Sequence, residues 1–104
     1  MNTAKVMMVR IYLTDNYANI KTLLKRLHDW EKVRGVTVFE AMAGFGPPGF
    51  ENAYAHDISI PIVVEFFDDA EKIAKVLDDL SGFIAAEHIV TWEAQLVSSS
   101  KGVA

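Results

Sequence analysis

Hydrophobic spacing along the chain predicts six elements. Residues 5–13, KVMMVRIYL, are apolar at both alternating sets of positions except Lys5 and Arg10, the pattern of a strand covered on both sides. Thr14, Asp15 and Asn16 follow as helix-start residues. Ile20, Leu23, Leu24, Leu27, Trp30 and Val33 then recur at helical spacing, opposite Lys21, Lys25, Arg26, Asp29 and Lys32. Lys32 and Arg34 suit a helix C-terminus, and Gly35 stands where a left-handed stop would end it. Residues 36–42, VTVFEAM, predict a second strand. Residues 44–57, GFGPPGFENAYAHD, hold three glycines and two prolines without periodicity and predict a long loop. A third strand is expected over 58–67, ISIPIVVEFF, with Pro61 marking an edge or bulge near its start. Asp68 and Asp69 can cap a second helix running to about Leu80, with Ile73, Val76, Leu77 and Leu80 inward. Glu71 and Lys75 form an i,i+4 pair on its outer side, and Gly82 ends it. Residues 88–97, HIVTWEAQLV, predict a fourth strand, and 98–104 a frayed tail.

The order β-α-β-β-α-β is that of a ferredoxin-like α+β domain over residues 5–97, with two helices on one face of a four-stranded antiparallel sheet. The covered face is expected to hold Met7, Val9, Ile11, Ile60, Ile62, Val64, Val90, Trp92 and Leu96. The other face is expected to hold Tyr12, Phe67 and Ile89 beside Arg10, Glu65 and Glu93. Trp30 and Trp92 fall at core positions. An open face that is half apolar favours packing against copies of the same chain.

Composition narrows the function classes. A chain of 104 residues has room for one core, and its 51% apolar content leaves apolar surface for a subunit interface. The net charge of −4 gives no general attraction to nucleic acid or anionic lipid. With no cysteine there is no disulfide, thiolate metal site or cysteine nucleophile. The first residues lack a charged segment followed by an apolar one, and no apolar run approaches about 20 residues. A cytoplasmic protein without membrane insertion is therefore expected. His28, His56 and His88 lack metal-site spacing, and neighbouring residues such as His56 and Asp57 usually point apart. Ser98, Ser99 and Ser100 have no nearby base to make a nucleophile.

Two groups of residues remain open to a functional use. Glu40, Glu65 and Glu93 each lie within a strand, either converging on the open face or forming ion pairs with groups such as Arg10. Gly44-Phe45-Gly46 provides backbone that can approach a ligand closely, and Phe45, Phe50 and Tyr54 put aromatic side chains into the long loop. No GK[ST] follows those glycines, so this is not a P-loop.

Residues 35–46, GVTVFEAMAGFG, resemble the junction between the second strand and the T-loop of PII signalling proteins, through Gly35, Thr37, Val38, Gly44, Phe45 and Gly46. The opening RIYL (Arg10 to Leu13) and the segment IPIVVEFFD (60–68) are similar to a PII-like branch of small bacterial proteins. The resemblance implies a homotrimer, not an enzyme and without a cofactor, that binds small molecules in clefts between subunits. It places Thr37, Gly44, Phe45, Gly46 and Phe67 at an adenine-nucleotide site. It also implies that the loop at 44–58, with Phe50 and Tyr54, docks onto a target, in PII proteins often a membrane transporter. The chain departs from PII in charge: no lysine or arginine occurs from residue 35 to residue 71, nor in SGFIAAEHIVTWEAQLV (81–97). A triphosphate would lack cationic partners there, so the expected ligand is a nucleotide with fewer phosphates or a small anion. Two other readings compete. One is a ferredoxin-like enzyme of oxygenase or isomerase type with a sheet-lined pocket. The other is a trimeric copper-tolerance protein, which the absent cysteines and scattered histidines oppose.

Overall fold

The computed structural model describes residues 1–13, 17–42 and 61–98. Strand β1 spans Asn2–Leu13 and helix α1 Tyr17–Lys25, followed by a single π-helical turn at Arg26–Trp30. Strand β2 is Gly35–Glu40, β3 Ile62–Asp68, helix α2 Ala70–Leu80 and β4 Ile89–Ser98, which follows a short 3₁₀ turn at Ala86–His88. The sheet order is β2-β3-β1-β4 with every pair antiparallel, the expected ferredoxin-like α+β fold. Both helices pack on one face. Ile20, Leu23 and Leu27 of the first segment and Ile73, Val76 and Leu80 of α2 enclose Val9, Ile11, Leu13, Val64 and Phe66. No helix among the described residues is long and apolar enough to cross a membrane.

The strand register corrects the expected faces. Arg10 pairs with Val90 and Ile11 with Ile89, so directly opposed residues put Ile89 on the helix side, where it packs against the core. Val90, Trp92 and Leu96 belong instead to the open face, and Val90 (47%) and Trp92 (38%) remain exposed. Glu93, opposite Met7, lies on the helix side and reaches Lys5. An edge strand has only as much helix cover as reaches it. Here β4 turns its more apolar side away from the helices, onto a face that no described element of the subunit covers.

The first helix also ends differently from its sequence pattern. Glu31 N–H donates to the Arg26 carbonyl at 2.9 Å, a π-type bond, and the wider turn shifts the phase of the residues within it. Leu27 stays buried, while Trp30, expected in the core, is 78% exposed. The stop is Lys32, with φ of 54°, and Val33 N–H closes the end on the Leu27 carbonyl at 3.1 Å. Gly35 is therefore not the helix stop but the first residue of β2.

Smaller differences follow from pairing. β1 begins at Asn2 because β4 continues to Ser98 and pairs with it. β2 ends at Glu40, although Ala41 N–H still donates to the Pro61 carbonyl at 2.8 Å. Pro61 directly precedes β3, the position at which a strand tolerates a missing N–H. Lys75 pairs with Asp79 at 2.9 Å rather than with Glu71.

Candidate functional site

The open face carries a groove of about 280 Å³ at one end of the sheet. Its origin is a step between strands. β3 stops at Asp68 opposite Met7, whereas β1 and β4 stay paired as far as Asn2 and Ser98. Gly35, Val36 and Thr37 of β2, Glu65, Phe66 and Phe67 of β3, Val6 and Met8 of β1, and Ala94, Gln95 and Leu96 of β4 line it.

Two of the residues expected at a ligand site, Thr37 and Phe67, meet here. Thr37 lies opposite Glu65, and Gly35 lies opposite Phe67. The Phe67 ring rests on the bare backbone of Gly35: a Cβ there would lie 2.9 Å from Phe67 Cε1, closer than such atoms approach. The glycine is thus set by ring-on-backbone packing, which the sequence hides because the partner lies 32 positions away along the chain (67 − 35). Gly44, Phe45, Gly46, Phe50 and Tyr54, with the whole of the 44–58 loop, lie outside the described residues.

Asp68 anchors the groove's β2–β3 end. It is 4% exposed, and its Oδ2 accepts the Arg34 N–H at 3.0 Å while Oδ1 accepts the Asp69 N–H at 2.8 Å. Lys72 Nζ lies 3.2 Å away and Arg34 Nη2 3.5 Å. Burial alone would raise this carboxyl's pKa. The Asp69 N–H, Lys72 and Arg34 oppose it and hold the group below the ordinary carboxylate range. Because Asp68 follows Phe67 and Arg34 precedes Gly35, the clamp holds ring and glycine in register.

The three strand glutamates do not converge. Glu65 accepts from Arg10 Nε at 3.0 Å and from Nη2 through the same oxygen, Oε1, and the guanidinium lies 5.3 Å from the Trp92 ring centroid. The bond to Glu65 raises Arg10's already high pKa further. Glu40 lies opposite Ile62 on the helix-side register, as Glu93 does opposite Met7. The two described histidines are equally separate: His28 Nδ1 sits 2.7 Å from Asp29 Oδ1, and His88 Nδ1 donates to the Tyr12 carbonyl at 2.7 Å. Among the described residues no group of three or more histidines and carboxylates could hold a metal ion.

A second feature was not visible in the sequence. Arg26 stacks at 5.0 Å on Phe83, beside exposed Trp30, and its Nε lies 3.6 Å from buried Glu31. Burial, then hydrogen bonding to Asp79, pushes the Glu31 carboxyl pKa up. The cluster exists because the π turn swings Trp30 outward and Glu31 inward, and periodicity reports neither.

Comparison with known proteins places the chain. The DUF190 family, described as "Uncharacterized ACR, COG1993", matches residues 6–96. A UPF0166 protein of Aquifex aeolicus (strain VF5) is 32% identical over 91 residues, covering 79% of this chain and 85% of that protein. Among solved structures, CPII of Thiomonas intermedia K12, bound to ADP, AMP and acetate, superposes with a TM-score of 0.66 at 18% identity, covering 94% of each chain. TTHA0516 of Thermus thermophilus, a candidate PII-like signaling protein, gives 0.60 at 16% identity, covering 92% of this chain and 90% of that one. The chain belongs to the DUF190 family, and its fold is that of the PII-like proteins.

Proposed function

We propose that this protein is a PII-like regulator acting in the cytoplasm. It assembles as a homotrimer, binds an adenine nucleotide or small anion in clefts between subunits, and controls a partner through the loop at 44–58. The role is binding and assembly rather than catalysis, and a membrane transporter is the kind of partner that such loops serve. One observation carries the reading: Thr37 and Phe67, the latter seated on Gly35, line one groove on the sheet face turned away from the helices. Trp92 and Val90, exposed on that same face, supply the apolar surface that a neighbouring subunit would bury. The ligand class draws support from CPII, whose structure holds ADP and AMP on a similar fold.

The test combines light scattering with thermal denaturation in the presence of AMP, ADP, ATP, bicarbonate and acetate. The reading expects a trimer mass and a stabilising shift with at least one of them, since a ligand that binds only the folded state raises its stability. A stable monomer at micromolar concentration with no shift from any of the five removes the proposal. A partner captured equally well after deletion of residues 47–56 removes the loop from it.

A further inference from the structure

The charges around the groove narrow its ligand further. Its polar side chains on the open face are one carboxylate, Glu65, and one hydroxyl, Thr37, and no lysine or arginine lines it among the described residues. Arg10, opposite Glu65 in the sheet, is committed to that carboxylate and stacked near Trp92. Both of its hydrogen bonds to Glu65 fall on Oε1.

Most of the other cations are committed too. Of the ten lysines and arginines, seven (Lys5, Arg10, Lys25, Arg26, Arg34, Lys72 and Lys75) lie within 4.0 Å of a carboxylate. The loop at 44–58 contains neither residue type and so has no cation to offer a phosphate. A phosphate desolvated in such a groove finds a carboxylate and no counter-charge, and each added phosphate raises the cost. An amine-bearing ring has the opposite balance: its N–H groups satisfy Glu65 and its face covers Phe67.

Resting on the reading that this groove is the ligand site, we propose that it selects an uncharged, amine-bearing heteroaromatic ligand of the nucleobase or nucleoside class over its phosphorylated forms. Glu65 is the specificity-determining residue.

Calorimetric titration with adenosine, AMP, ADP, ATP and purine riboside, which lacks the exocyclic amine, tests this directly. Affinity is expected to fall along the series from adenosine to ATP. Purine riboside is expected to bind roughly tenfold more weakly than adenosine, the worth of one hydrogen bond to a charged group. In Glu65→Gln the gap between adenosine and ATP should narrow, as should the preference for the amine. Glu65→Gln also releases Arg10, so the double variant Glu65→Gln, Arg10→Gln separates the two effects: it should still show the weakened amine preference. Affinity that rises from adenosine to ATP in the unmodified protein overturns the selectivity while upholding the groove as a nucleotide site. Absence of binding by all five compounds overturns the site assignment and this inference with it. An amine preference unchanged in both variants removes Glu65 from the role.

Discussion

Replacing Gly35 by alanine tests the groove with the smallest possible change. The added methyl would lie 2.9 Å from Phe67 Cε1, so contact at ordinary van der Waals separation requires the ring to yield by about half an ångström or more. Phe67 is only partly buried and borders open space in the groove, so its ring can swing that way. Two terms of similar size then oppose each other. Alanine reduces the freedom of the unfolded chain, a gain of roughly 0.4–1 kcal/mol. A displaced rotamer costs about 0.5–1.5 kcal/mol. The net is within about 1 kcal/mol, or a Tm change of no more than about 8 °C in a domain of this size. Ligand binding has no such compensation, because the ring now occupies ligand space. Thermal denaturation of Gly35→Ala, with and without the best ligand found for the unmodified protein, should therefore show a nearly native Tm and a greatly reduced ligand-induced shift. A full shift in a well-folded variant would refute the argument and place the site elsewhere on the protein.

Other expectations follow from the same contacts. Thr37→Val should weaken an adenine-type ligand by about 1 kcal/mol through a lost hydrogen bond, read as a roughly fivefold rise in Kd by calorimetry. Asp68→Asn should lower stability by about 1–3 kcal/mol near neutral pH by weakening the clamp on Arg34 and Asp69. Since the folded-state pKa of Asp68 lies below its ordinary 3.8, its contribution is present above that value and lost as pH falls through the lower folded value. Denaturant titrations of the two forms should thus converge in strong acid and separate above the ordinary pKa. Trp30→Ala should change stability by no more than about 0.5 kcal/mol, because the side chain is exposed, and a loss of core-deletion size would contradict its position. Val90→Glu should shift the light-scattering mass toward the monomer while preserving the circular dichroism of the fold, and an unchanged assembly would show that this face is not the interface.

Local pattern was sufficient wherever one element's periodicity met a single partner. The alternation around Val64 and Phe66 and the helical spacing of Ile73, Val76 and Leu80 each determined a buried face. Together with the turn residues between them they determined the order of elements, and the rule that connections do not cross left few ways to assemble it. The resemblance over 35–46 singled out Thr37 from the sequence alone, and residues 60–68 singled out Phe67. Tertiary structure decided what depended on distant neighbours. The face of β4 was set by pairing Ile11 with Ile89, and its apolar residues went to the open side, where hydrophobicity alone assigns them to the core. A π turn placed Trp30 in solvent, because one extra residue in a turn changes every later phase. Gly35 owes its place to an aromatic ring on the next strand, and Glu65 its place at the groove to the step where β3 stops short of β1 and β4. Periodicity along one strand reports which residues share a face, but which face is covered, and by what, is a property of the assembled sheet.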